Sequence, residues 1–421
     1  MRTRYLTLSG LLAASGSAAL GACATADEPN AAPHTNVVLA SDAGADSDAA
    51  FDAGEAAPCA DCEYFPETCS DGVLCPNWPA DDVGEIDPRL SITAVRGRSR
   101  TDVWVVGALG NAARFDGTKW TLHGLQPAET IRALWLRESG EISGVALERL
   151  FSRGLAMADG GVPTEAWTAR KTLPHQEYAR WSRTITSGWA SPGAEWLWAT
   201  TENTCFFDFG NRARPWPECS FDTSPSSGLW RVRTTASSDV EIGDAIGKDL
   251  CRAMSCGSMT SVHGSSVNAL WAVGHAGAAI RVTDADGANP KIRAFNSQTL
   301  DALHGVWEAT PPGADGVGGE AWAVGAAGVI RHYKGDPAVW DVVENVLTTV
   351  NLRAVWGSSA SDVWAVGDAA TVLHYDGTSW SRVKIAGLGQ RRPDLYSVWI
   401  SEPGDVWVAG HGVVLNLGGK P

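Results

Sequence analysis

Residues 94–120 read AVRGRSRTDVWVVGALGNAARFDGTKW, and residues 354–380 read AVWGSSASDVWAVGDAATVLHYDGTSW. Aligned without gaps, 13 of the 27 positions are identical, from Ala94 and Val95 through Asp102, Val103 and Trp104 to Asp116, Gly117, Thr118 and Trp120. Such matching across 260 residues is duplication, so the chain is built from repeats. Shorter copies stand at 262–274 (VHGSSVNALWAVG), 320–335 (EAWAVGAAGVIRHYKG) and 396–410 (YSVWISEPGDVWVAG). The tryptophan of the Val-Trp-x-Val-Gly motif recurs as Trp271, Trp322, Trp364 and Trp407, at gaps of 51, 42 and 43 residues. Trp104 and Trp198 are 94 residues apart, which leaves room for two units, one of them degenerate around 144–147.

Within one unit the pattern is four short strands. Leu352 to Trp356 alternate; a polar turn leads to Asp362–Val366; Thr371 to Tyr375 follow; Asp376-Gly377 turns the chain into a last strand that starts at Trp380. β-Branched and aromatic residues in alternation, joined by an Asp-Gly step, read as antiparallel hairpins. Four strands at a period of 40 to 50 residues fit the blades of a propeller, in which neighbours around a ring bury both faces of each sheet. The fold class is therefore all-β, a β-propeller of four-stranded antiparallel blades. First strands near 92, 131, 181, 229, 259, 303, 352 and 395 favour eight blades, with seven as the alternative because the unit near 229 is short. The last unit holds only three strands, and Cys75-Pro76-Asn77-Trp78 is expected to lend the fourth, with Trp78 standing where Trp120 and Trp380 stand.

These motifs resemble the Trp-rich propeller repeats of myxobacterial lipoproteins. The resemblance covers residues 90–418 and is strongest at 94–120, 262–287 and 320–410. Asp116-Gly117-Thr118-x-Trp120 and Asp376-Gly377-Thr378-x-Trp380 are also distantly similar to the end of the Asp-box of sialidase-type (BNR) propellers, without its first half. The resemblance implies the fold and leaves the activity open.

The N-terminus reads as an export signal. Arg2 and Arg4 precede an apolar run from Leu6 to Leu20, and Leu20-Gly21-Ala22-Cys23 is similar to a bacterial lipobox, whose cysteine thiol is lipidated. Ala24 in place of an aspartate implies the outer membrane. Residues 24–58 hold seven acids and no Lys or Arg, and cannot bury enough apolar area to fold. The reading divides the chain into a lipoprotein signal peptide (1–22), an acidic flexible tether from lipidated Cys23 (23–58), a Cys-rich disulfide segment (59–75) and the propeller (76–421). An oxidising compartment favours disulfides among the eight other cysteines: two within Cys59, Cys62, Cys69 and Cys75 in any of three pairings, Cys205 with Cys219, and Cys251 with Cys256.

The formal net charge is −15, and loss of Arg2 and Arg4 leaves 31 basic residues against 48 acidic, or −17. Such a chain repels nucleic acid, and it meets the membrane through its lipid alone. Repeated residues serve packing, so Asp102, Asp362, Asp405 and the motif tryptophans read as structural. Specificity falls to positions that vary: His275, Asp368 and His411 in the turn after Val-Gly, and Lys384, Arg391 and Arg392 in a blade connection. These six form the candidate binding rim. No catalytic motif is present, so no catalytic residue, cofactor or metal ion is assigned. The favoured function is a monomeric surface binding or protein-interaction module for a protein or glycan, exposed to the periplasm or the exterior. The alternatives are a glycan-processing hydrolase or lyase and an envelope assembly factor.

Overall fold

The computed structural model describes residues 61–78, 86–125, 129–138, 140–155, 165–173, 181–205, 227–235, 239–310 and 319–418. The leader, the tether, Cys23, Cys59 and Cys219 lie outside these residues. Strand β1 (Leu74–Pro76) comes first in the chain. Blade 1 is β2 (Ile92–Ser99), β3 (Asp102–Gly107), β4 (Ala112–Phe115) and β5 (Trp120–Leu122). Blade 2 is β6 (Ala133–Leu136), β7 (Glu141–Ala146), β8 (Arg149–Arg153) and β9 (Thr168–Arg170). A short β10 (Thr172–Leu173) then runs parallel to the outer edge of blade 3, which is β11 (Trp181–Trp189), β12 (Leu197–Cys205), β13 (Leu229–Thr234) and β14 (Val240–Asp244). Helix α1 (Lys248–Ala253) leads to blade 4: β15 (Met259–Ser266), β16 (Ala269–Gly274), β17 (Ala278–Thr283) and β18 (Lys291–Asn296).

Blade 5 is β19 (Leu303–Glu308), β20 (Ala321–Gly325), β21 (Ile330–Tyr333) and β22 (Asp341–Val342). Blade 6 is β23 (Leu352–Ser359), β24 (Asp362–Gly367), β25 (Thr371–Tyr375) and β26 (Trp380–Arg382). Blade 7 is β27 (Leu395–Glu402), β28 (Asp405–Gly410) and β29 (Val413–Leu417), completed by β1. The innermost strands β2, β6, β11, β15, β19, β23 and β27 touch in that order, and β27 returns to β2. The described residues thus close a ring of seven blades. The favoured count of eight is corrected because the unit near 229 is no blade: β13 pairs with β12, as the third strand of the blade begun at Trp181.

An acid two residues before a buried indole recurs from blade to blade. Asp102 accepts from Trp104 Nε1 at 3.2 Å and from Arg114 at 2.6 Å. Asp362 accepts from Trp364 Nε1 at 2.9 Å and bonds His374 Nε2 at 2.8 Å. Asp405 accepts from Trp407 Nε1 at 3.1 Å and from Asn416 at 3.2 Å. Arg114, His374 and Asn416 each stand directly opposite the tryptophan on the third strand. The acid therefore satisfies the indole N–H that burial would otherwise strand, and ties the second strand to the third. Hydrogen bonding to His374 first of all, then to Ser358 and Trp364, lowers the Asp362 carboxyl to about 2. At the outer hairpin Asp376 accepts from Thr378 N, Thr378 Oγ1 and Ser379 N, and Gly377 sits at φ 94°, where a side chain would be strained.

The N-terminal segment closes the ring, in a register four residues earlier than expected. Leu74 pairs with Leu417 and Pro76 with Leu415. In blade 1 Trp120 pairs with Phe115, so Leu74, not Trp78, takes the place of Trp120. Trp78 lies beyond the strand, its ring 5.0 Å from Trp120 of the next blade, whose Nε1 donates to Asn77 O at 3.1 Å. Cys75 of β1 is buried and disulfide-bonded to Cys69, and Cys62 is disulfide-bonded too. Cys251 of α1 is bonded to Cys256, with Cα atoms 5.0 Å apart. Because Leu74 is fully buried, Leu74→Ala is expected to cost about 2–5 kcal/mol in denaturant unfolding. Deletion of residues 24–57 should leave the midpoint unchanged, and equal midpoints for Leu74→Ala and wild type would contradict closure by β1.

Candidate functional site

The first strand of most blades slips register near its start, between Ile92 and Ala94, Met259 and Ser261, Leu303 and Gly305, Leu352 and Ala354, and Leu395 and Ser397. A bulge leaves its extra residue unpaired and re-aims the side chain. Thr93, Thr260, His304, Arg353 and Tyr396 are those residues, and all five line the central channel. Thr93 donates to Ile131 O and Thr260 to Leu303 O, while His304 Nδ1 lies 3.0 Å from Leu352 O. Each of these three reaches the opening residues of the next blade, so the bulge both lines the channel and latches neighbours together.

Three residues further on, each first strand carries the residue of the Val-Trp-Gly motif. Trp135, Trp189, Trp307, Trp356 and Trp399 occupy it in five blades; blade 1 has Arg96 and blade 4 has His263. The motif's glycine explains how the indoles fit. A Cβ on Gly357 would come within 2.7 Å of Trp307, and one on Gly264 within 2.8 Å of Trp189. Trp189, Trp307 and Trp399 thus lie on the motif glycine of the following blade, and Trp135 lies on Gly188. Blade 7 has Ile400 in the glycine's place, and Trp356 stands half-buried in the channel instead. The Arg96 guanidinium lies 4.7 Å over the Trp356 ring, and the His263 ring meets it edge-on at 4.7 Å. Together the three cross the channel and separate two cavities that both touch them.

Below this constriction a cavity of about 660 Å³ opens among Trp135, Trp189, Trp399, Arg98, Arg137 and Glu195. Above it, the channel runs to the rim that carries the turns after Val-Gly. His275 N donates to Ser258 O, Asp368 N to Asn351 O and His411 N to Asp394 O, so turns and blade connections share that rim. The six rim residues separate there. Asp368 takes Arg353 at 2.7 Å and Asn351 at 2.8 Å, which joins it to the channel wall. His275 is exposed in blade 4, two blades away. Arg391 donates to His411 O at 3.1 Å. Arg392 stacks 3.5 Å from the Phe65 centroid and bonds Asp61 at 3.1 Å, so it holds the Cys-rich segment. Lys384 is exposed, and its carbonyl accepts from Leu74 N at the outer edge of the propeller. Among the described residues, no cluster of three His, Cys, Asp or Glu could hold a metal ion.

Two His–acid pairs have the spacing of an acid–base dyad: His332–Glu320 at 2.7 Å and His374–Asp362 at 2.8 Å. Both sit in register, with the blade's tryptophan against the imidazole, 4.1 Å from His332 and 4.4 Å from His374. They belong to the repeated blade core. Arg96 and His263 do not repeat, and sequence reasoning passed over them. Their signal is visible: VRG and VHG stand where residues 355–357 read VWG and the other units also keep the tryptophan.

No family model matches the chain, and no curated protein matches it. Solved structures similar to it are β-propellers. YCF48 bound to D1 peptide is 13% identical over 84% of this chain and 99% of that chain, with a TM-score of 0.55. YCF48 from Cyanidioschyzon merolae is 13% identical over 78% of this chain and 95% of that one, at 0.54. The WD40 propeller domain of Doa1 is 10% identical over 83% and 96%, at 0.53. At these identities they show the fold alone.

His263 makes the channel's protonation testable. Burial first, and then the Arg96 charge, push its imidazole down to about 3, and its Nδ1 accepts from Glu308 N at 3.1 Å. The unfolded chain binds this proton near pH 6.5, so stability present at neutral pH is lost as pH falls from 6.5 towards 3. Between pH 7 and pH 4, wild type should lose about 3 kcal/mol more than His263→Gln. Parallel losses would show that His263 titrates normally.

Proposed function

We propose that the chain is an outer-membrane lipoprotein of the Trp-rich propeller type, anchored through Cys23, whose propeller is a binding module for a protein or glycan of the cell envelope. The observation that carries the binding role is the convergence of non-repeating residues on one place. Packing explains the motif tryptophans, the acids beside them and the motif glycines. Packing does not explain a guanidinium and an imidazole at the motif-tryptophan position, facing the channel. Ligand sites in ring-shaped folds form where the blades' inner strands converge, because each blade contributes one residue to a shared concavity. The acidic segment 24–58 would hold the module on the order of 30 Å from its lipid.

Retention from envelope extract and on a glycan array, compared between the full chain and its Trp356→Ala variant, tests the reading. Partners held by wild type and released by the variant are expected, with melting curves confirming that the variant folds. In cells, Cys23→Ser should move the chain from the membrane pellet to the soluble fraction. Identical retention by both forms would overturn a channel-centred binding role, and an unchanged pellet would overturn the anchor.

A further inference from the structure

We propose that the upper half of the channel is an oxyanion site, which receives a carboxylate, phosphate or sulfate group carried by a small ligand. This deepens the binding-module reading and rests on it. Arg96, Arg132 and Arg353 line that space from blades 1, 2 and 6, and no Asp or Glu side chain lines it. In a chain of net charge −15, three guanidiniums collected in one acid-free concavity are a local reversal of sign. Among the described residues, Arg353 alone of the three has a carboxylate partner, Asp368, which approaches from the rim.

Arg96 is the centre of the argument. It is half-buried, and desolvation lowers its basicity to about 10. Its hydrogen bonds go to neutral acceptors, Val95 O at 2.7 Å and Ser397 Oγ at 3.1 Å, and its flat face rests on Trp356. A desolvated cation without a counter-ion is costly, and an anion brought to it would recover that cost. Arg132 is exposed to the same space. The two histidines facing it, His263 and His304, are both held towards their neutral forms, chiefly by burial, so they add no charge of their own. Among the charged side chains that line or reach the space, two arginines are left without a carboxylate.

The space sets the ligand's size. It measures about 90 Å³, several times the ~10–15 Å³ that one water needs by the same measure. An oxyanion with a few attached atoms fits; a folded partner does not. Ser187, Ser261 and Ser397 line the wall, and their hydroxyls supply neutral donors of the kind that complete oxyanion binding.

Thermal unfolding and calorimetry of the full chain, titrated with sodium phosphate, sulfate or acetate against chloride at constant ionic strength, decide the matter. At a hundred times its dissociation constant, a bound anion stabilises by about 2.7 kcal/mol, so a rise of several degrees beyond chloride is expected. Arg132→Gln should weaken binding about tenfold or more, and Arg96→Gln should do the same if it folds. Lys334→Gln, which removes one exposed charge elsewhere, should leave the titration unchanged. Response to phosphate and sulfate would identify an ester of those acids; response to acetate would identify a carboxylate. No rise beyond chloride, or equal affinity in Arg132→Gln and wild type, would overturn the proposal. Because partner retention is scored with Trp356→Ala, the broader binding role can stand while the oxyanion site falls.

Discussion

One hydrogen-bonded clamp supports much of this propeller: an acid, the indole two residues on, and a donor across the sheet. Asp102–Trp104–Arg114, Asp362–Trp364–His374 and Asp405–Trp407–Asn416 are three copies. A tryptophan fills the space between blades better than any other side chain, but its N–H must be satisfied in the dry interior. A carboxylate on the same strand satisfies it without reaching across the sheet, and the same carboxylate oxygen also binds the donor opposite. The clamp thereby converts a packing residue into a fixed reference within each blade. Two-residue periodicity then places the residues of the first strand on the channel.

Blade 4 shows what happens where the clamp is lost. Ala269 takes the acid's place, and Trp271 Nε1 has no partner although the ring is fully buried. Arg281, opposite Trp271, turns instead to Glu308 of blade 5 at 2.6 Å. Glu308 follows Trp307, where blades 1, 4 and 6 carry the motif glycine, and its backbone N–H donates to His263. Loss of the acid, the buried arginine, the buried glutamate and the channel histidine form one linked set of departures. They occupy the interface between blades 4 and 5, beside the constriction, so the site has its own supporting shell.

Much of the fold could be read from the residues because repetition exposes structure directly. The Asp-Gly turns, the alternating strands and the closure by an N-terminal strand all follow from local patterns. Blade count was misjudged near Leu229–Val232, where a third strand carries Trp230 in the alternation of a first strand after a long excursion from β12. Trp78 was misplaced by analogy with Trp120, since the register depends on where β29 ends and not on the aromatic residue. The channel residues were overlooked for a different reason. Alignment of copies rewards identity, and Arg96 and His263 are informative because they break it. The turn residues His275, Asp368 and His411 vary freely between copies; of these, Asp368 bonds a residue of the channel wall.

A double-mutant cycle on Asp362 and His374 tests the clamp most directly. Asp362→Ala, His374→Ala and the double variant are unfolded in denaturant, and the coupling is read from the three differences. The account predicts a coupling of about 1–2 kcal/mol at neutral pH, because either single change takes a hydrogen-bond partner from a half-buried group. Additivity to within about 0.3 kcal/mol would contradict it, and would leave the tryptophan's packing alone as the force that holds the blades.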